Sequence, residues 1–427
     1  MRHTSRRSHH DDGAGLIFES TAHSLQSAIQ AVLRFFRKSA VDSNLGALIS
    51  RRGEICGLAV IAMLAFPVLS YSQTEQPGDE LPTMLGSGDD DGYARAETVR
   101  EFTFPHDHGP HPAFRNEWWY FTGNLETADG RRFGYELTLF RIALPPRPVA
   151  RESHWASDQI YMGHFAVTDA AAGRFHHFER FARGAIGLAG ARAQPFHVWL
   201  EDWDIAAGAN NDFPWRLRAA ADGVALNLEL TPRKPVVLHG DRGLSQKSAA
   251  PGNASYYYSF TRIASKGRLS IGDETFTLAG ESWMDREWST SALGPEQSGW
   301  DWFALQLDDG SDLMFYQLRR KDGGVDPLSA GTWVKPDGAT LALSADDVVI
   351  ETLDWWRSPS DVRYPSRWKL VIKPTATTIT VTPIQANQEL DLTVRYWEGA
   401  VDAAGEREGA PVGGRGYVEL AGYGNSD

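Results

Sequence analysis

Val224-Ala225-Leu226-Asn227-Leu228-Glu229-Leu230-Thr231 alternates apolar and polar side chains without interruption. A period of two means extended chain with one face buried and the other wet. Thr378-Ile379-Thr380-Val381-Thr382 repeats the pattern near the C-terminus. Turn-forming pairs punctuate the chain at Asp129-Gly130, Asp222-Gly223, Gly272-Asp273, Asp309-Gly310, Asp322-Gly323 and Asp337-Gly338. Such pairs supply the backbone angles that tight hairpins require. After residue 100 the best helix candidate, 182–193, is short and broken by glycine. The expected fold is all-β, with many short strands forming barrels or sandwiches.

The chain has 427 residues, more than one core usually holds, so two domains are expected. A weak internal repeat supports this. Trp118, Phe121, Leu125, Asp129-Gly130, Phe133 and Tyr135 follow the same order as Trp300, Phe303, Leu307, Asp309-Gly310, Leu313 and Phe315. Any amphipathic hairpin with an Asp-Gly turn would share part of that order. If the repeat is real, each copy opens its own antiparallel barrel. The expected division falls near Ala279-Gly280, giving domains 98–279 and 280–427.

Directly after that division stands Gly280-Glu281-Ser282-Trp283-Met284-Asp285-Arg286-Glu287-Trp288-Ser289, followed by Gly299-Trp300-Asp301-Trp302-Phe303. A carboxylate among indole rings loses water, which raises its pKa and can make it a general acid near neutrality. Asp285 is the candidate donor, with Trp283, Trp300 and Trp302 as candidate walls. The alternative is a plain aromatic core, with Asp285 and Glu287 paired to Arg286. Pockets favour barrel mouths and domain interfaces, which is where this cluster is expected. Glu117, ahead of Trp118 and Trp119, would need Arg115, Arg141 or Arg286 as a partner if buried. Tyr256-Tyr257-Tyr258 and Trp355-Trp356 should alternate between faces of their strands. Trp118, Tyr257, Trp288, Glu117 and Arg286 complete the candidate ligand-binding set.

Phe104-Pro105-His106-Asp107-His108-Gly109-Pro110-His111 and Asn116-Glu117-Trp118-Trp119-Tyr120-Phe121-Thr122-Gly123 open the mature region. Gly240-Asp241-Arg242-Gly243-Leu244-Ser245-Gln246-Lys247-Ser248, Tyr256-Tyr257-Tyr258-Ser259 and Ser282 to Ser289 follow. Together they resemble the carotenoid hydratase (hydroxyneurosporene synthase) and AttH-like family over roughly residues 100–424, closest to its exported AttH-like branch. The resemblance implies two consecutive lipocalin-like (calycin) β-barrels. It also implies an apolar ligand such as a lipid or isoprenoid, and service to an inner-membrane transport system. In the hydratase branch, water is added across an isoprenoid double bond. Hydratases tend to carry Asp-His-Asn where this chain has Asp285-Arg286-Glu287. Arg286 beside Asp285 would be expected to pair with it and lower its pKa, defeating a proton donor.

Residues 1–54 are polar and basic, and an apolar run follows from Ile55 to Leu69, closed by Ser70-Tyr71-Ser72. This reads as a secretory signal with an over-long leader spanning 1–72, or as an uncleaved anchor over 55–71. A flexible tether is expected over 73–97. The sole cysteine, Cys56, lies inside the apolar run, so no disulfide is expected beyond it. These features point to a periplasmic or secreted protein. Residues 1–72 carry eight Lys+Arg and five Asp+Glu, so the net charge of −13 leaves −16 on the remainder. That acidity argues against nucleic acid as a partner. His106, Asp107, His108 and His111 are metal-ligand types, but they lie in a Pro/Gly-rich loop that can simply plug a barrel end, and no metal site is assigned. No Gly-x-Ser-x-Gly elbow or phosphate-binding glycine loop is present, and no cofactor is expected.

Overall fold

The computed structural model describes residues 92–144, 153, 156–291 and 293–424. The leader, Cys56 and most of the expected tether lie outside the described residues. The described residues belong to one compact unit.

Alternating side chains and tight turns produce two antiparallel sheets in succession. The first contains β1 (Asn116–Glu126), β2 (Arg132–Ala143), β3 (Gln159–Asp169), β4 (Arg174–Arg183), β5 (Ala189–Ala193), β6 (Phe196–Leu200) and β7 (Trp203–Ala206). It continues with β8 (Trp215–Ala221), β9 (Val224–Pro232), β10 (Val237–Leu238), β11 (Leu244–Gln246), β12 (Ala254–Ile271) and β13 (Glu274–Ser289). The second contains β14 (Gln297–Leu307), β15 (Asp312–Arg320), β16 (Ala330–Val334), β17 (Thr340–Ser344) and β18 (Val348–Arg357). It ends with β19 (Arg363–Ile372), β20 (Thr377–Pro383), β21 (Glu389–Asp391), β22 (Arg395–Arg407) and β23 (Ala410–Ala421).

The first sheet runs β4-β3-β2-β1-β13-β12-β9-β8-β7-β6-β5, with β10 and β11 also pairing β12. The second runs β17-β16-β15-β14-β23-β22-β20-β19-β18, with β21 beside β22. In each, a four-strand meander is followed by a return strand laid against its first member: β13 on β1, and β23 on β14. The internal repeat is therefore structural. Phe121, Leu125, Phe133 and Tyr135 face the core of the first sheet, while Phe303, Leu307, Leu313 and Phe315 face that of the second.

Each sheet curls, barrel-like, around its own buried cluster. Trp119, Phe165, Trp203, Trp215 and Trp288 help fill the first, and Trp333, Trp368 and Trp397 the second. A third cluster forms where β1 and β2 meet β22 and β23, and where β12 meets β14. It includes Tyr120, Tyr257, Trp283, Trp302, Tyr316 and Tyr417. The interiors are thus occupied by the chain's own side chains. The aromatic residues of this third cluster point into the seam between the sheets, whereas Trp355 and Phe181 are exposed.

The structure revises three expectations. The span 182–193 is no helix: β4 ends at Arg183, the chain turns through Ile186 and Gly187 at positive φ, and β5 begins at Ala189. Ala279-Gly280 falls inside β13, which pairs β1 as far as Glu126↔Ala279, so the first sheet ends only with Ser289 and the second begins at Gln297. The last residues of the expected tether are packed, since Ala96 is buried in the first core and Ala94 bonds to Ala113.

Candidate functional site

Successive side chains of β13 point to opposite faces, which divides the tryptophan-carboxylate motif in two. Trp283, Asp285 and Glu287 face the seam between the sheets. Met284, Arg286 and Trp288 face the first core or the loop that closes it. Alternation on β1 likewise sends Trp118 and Tyr120 to the seam, and Glu117 and Trp119 inward. On β14, Trp300 and Trp302 face the seam while Phe303 enters the second core.

A cavity of about 90 Å³ lies in the seam, walled by Trp118, Trp300, Trp302, Tyr257, Tyr316 and Tyr396. Asp285 and Glu287 reach it from β13, Glu398 from β22 and Glu419 from β23, and Lys247 follows β11 into it. The space suits a few waters or the branched end of an apolar molecule, but not an entire long ligand.

Asp285 is 4 % exposed. Its Oδ2 accepts from the Tyr257 hydroxyl at 2.5 Å, and its Oδ1 from the Trp283 indole at 2.6 Å and from Ser259 Oγ. The Trp302 indole donates to the Tyr257 oxygen at 3.1 Å. Behind Ser259, His239 bridges the two sheets, with Nε2 2.6 Å from Ser259 Oγ and Nδ1 2.9 Å from Thr332 Oγ1. Burial dominates these donors and pushes the Asp285 carboxyl up to about 7. The residue therefore exchanges its proton close to neutrality, with the protonated form prevailing below about pH 7 and able to release its proton to a bound group. Arg286, expected beside it, is on the far side of the strand and does not neutralise it.

Three further carboxyls escaped the sequence analysis. Glu398 and Glu419 are register partners on β22 and β23. Tyr120 donates to Glu398 Oε2 at 2.9 Å, and the Trp300 indole to Glu419 Oε1 at 2.9 Å. Glu136 accepts from Thr138. Burial pushes Glu419 up to about 8, and burial with mutual repulsion holds Glu136 and Glu398 well above the carboxylate range. The available signal was a glutamate interrupting an apolar strand, as in Tyr396-Trp397-Glu398 and Tyr417-Val418-Glu419-Leu420. Lys247, within the Gly240 to Ser248 segment, lies 3.3 Å from Glu287, and nothing in its sequence neighbourhood marks it as a cavity residue.

The remaining candidates build something else. Glu117 is fully buried, paired to both Arg141 and Arg286, and accepts the His111 amide at 3.0 Å. Desolvation opposes its charge, but the two guanidiniums and His111 hold its pKa far below the usual range. Arg286 also donates to the Gly109 carbonyl at 2.7 Å, and Arg141 to Phe114 at 2.7 Å. The His111 ring stacks on Trp288 at 3.7 Å. Loop 104–115 is thus fastened over the first barrel. His108 bonds to Tyr258 at 2.7 Å and His111 to Asp107 at 3.1 Å, so these histidines serve the plug. Glu117, Arg286 and Trp288 stand apart from the cavity; Trp118, Tyr257, Asp285, Trp300 and Trp302 line it, and Trp283, expected as a wall, instead packs behind Asp285 and donates to it.

The AttH-like family model matches residues 95–423. Among solved structures, the chain is similar to a protein classed as AttH from Nitrosomonas europaea, with 36% identity, a TM-score of 0.69, and coverage of 77% of this chain and 99% of that one. It is also similar to kievitone hydratase from Nectria haematococca, with 16% identity, a TM-score of 0.59, and coverage of 77% and 96%. The second likeness is one of fold. No curated protein sequence matches the chain.

Proposed function

This chain belongs to the AttH-like family of lipocalin-like β proteins, and from that premise we propose that it binds the branched end of an apolar, isoprenoid-type alkene and adds water across the double bond. The observation that carries this reading is Asp285, a carboxyl whose burial in an aromatic cavity brings its proton exchange up to about pH 7. Protonating a trisubstituted alkene takes a proton donor that is still charged with its proton at working pH. Asp285 gives the proton to the less substituted carbon, leaving a tertiary cation beside the rings of Trp118, Trp300 and Trp302, whose faces stabilise positive charge. Water adds to that cation and passes its extra proton to Glu287, two residues along the same face of β13. Proton exchange between Glu287 and Asp285 through the product-bound cavity restores the start. We place this chemistry outside the cytoplasm, on the strength of the apolar run before residue 72.

The test is incubation with an acyclic isoprenoid alkene in ¹⁸O-water, with mass spectrometry of the extract. A labelled tertiary alcohol is expected from the wild type, and about 10²–10⁴-fold less from Asp285→Asn. Product that survives this substitution removes Asp285 as the donor. Retained ligand without product would leave the second reading, a carrier that handles apolar lipid without changing it.

A further inference from the structure

We propose that the seam cavity is an organic-cation site, selective for a trimethylammonium-sized head over its neutral isostere. This rests on the cavity being the ligand site, but not on turnover. Four carboxyls line the space, namely Asp285, Glu287, Glu398 and Glu419, with Glu136 behind them. Among the described residues lining it, Lys247 is the one cation, and it lies against Glu287. Glu398 is fully buried, and its Oε1 has no hydrogen-bond partner, as is also true of Glu136 Oε2. A buried carboxyl oxygen left without a donor has lost its solvation, and at a cavity wall a positively charged head in contact with it would offset that loss electrostatically without needing a hydrogen bond.

The walls agree with the charge. Lys247 Nζ already sits 4.0 Å from the centre of the Tyr316 ring and 5.0 Å from that of Tyr257, so the cavity holds ammonium against aromatic faces with one of its own side chains. A quaternary ammonium offers no N–H and makes no hydrogen bond; it is recognised by ring faces, present here, and by carboxylate charge, which Asp285 and Glu419 supply once the pH passes their values of about 7 and 8. A metal ion is a poorer fit, since no group of three ligating side chains is close enough to hold one among the described residues. The same features would favour a carbocation formed in the cavity, which links the site to the chemistry proposed above without depending on it.

Choline and 3,3-dimethylbutan-1-ol have the same shape and differ in charge. Calorimetric titration of the full chain with each, at about pH 8.5 where Glu419 has lost much of its proton, reads the preference directly. Choline is expected to bind at least about tenfold more tightly. The Asp285→Asn/Glu419→Gln double variant, checked for native circular dichroism, is expected to bring the two probes to within about threefold of each other. Equal affinity in the wild type overturns the inference, and the labelled-alcohol assay then still decides the hydration reading. Absence of binding by both probes overturns it as well. An unchanged preference in the double variant also overturns it, by moving the selectivity away from these carboxyls.

Discussion

Asp285 and Arg286 are neighbours in sequence that never meet as side chains. A strand sets consecutive residues on opposite faces, so the guanidinium that would quench the acid instead neutralises Glu117 in the first barrel. Two expectations follow for Asp285. Its folded pKa of about 7 exceeds its unfolded value, so its contribution to stability is complete below about pH 4 and lost as pH rises through 7. Asp285→Asn mimics the protonated form, and should gain about 2–3 kcal/mol over wild type between pH 5 and pH 8, read from paired denaturant titrations. An equal difference at both pH values would place the acid elsewhere. Ser259→Ala removes a donor that favours the carboxylate, so the alkaline limb of the activity profile should move up by about one pH unit. The desolvated carboxyl was legible from the tryptophans around it. Glu398 and Glu419 were not, because their burial depends on contacts with the first sheet, far away in the chain.

At the level of single elements, the alternating segments and Asp-Gly pairs were sufficient to locate the strands and their hairpins. They misjudged Gly280, taken as a boundary. A Cβ there would stand 2.1 Å from the Asn124 carbonyl, so the glycine permits β1 and β13 to cross closely inside one sheet. Gly280→Ala should cost about 1–3 kcal/mol, measured as a lowered denaturation midpoint. The plug offers a sharper case. Glu117→Gln leaves two buried guanidiniums without a counter-charge, and should cost about 3–5 kcal/mol. Its expected signature is loss of protection of the 104–115 amides in hydrogen exchange, with the Asp285 titration unmoved. A protein of unaltered stability would show that the ion cluster does not hold the loop.

For the molecule as a whole, the cavity belongs to neither barrel. Its walls come from β1, β2, β12 and β13 on one side, and from β14, β15, β22 and β23 on the other. The seam is tied by Asp312, fully buried, which accepts from Thr261 at 2.8 Å and Arg262 at 2.8 Å and sits 2.7 Å from Lys234 Nζ. Asp312→Ala leaves buried Lys234 without a carboxylate and Arg262 with Glu281 alone, so calorimetry should show a loss of about 3–5 kcal/mol and a broadened or split transition. A single sharp transition at the wild-type temperature would mean that the sheets are held by their apolar contacts alone. The repeat was visible in the order of aromatic residues, but the way the two copies pack was not, since period and turn chemistry say nothing about which outer faces will meet.

The indoles of Trp283 and Trp302 place a chromophore one and two hydrogen bonds from the Asp285 carboxyl. Appearance of a negative charge there alters the electric field on both rings, so ionisation of the acid should be written into the protein's own emission spectrum. The chain carries a built-in optical gauge of its protonation, readable by ordinary fluorimetry with no label and no substrate.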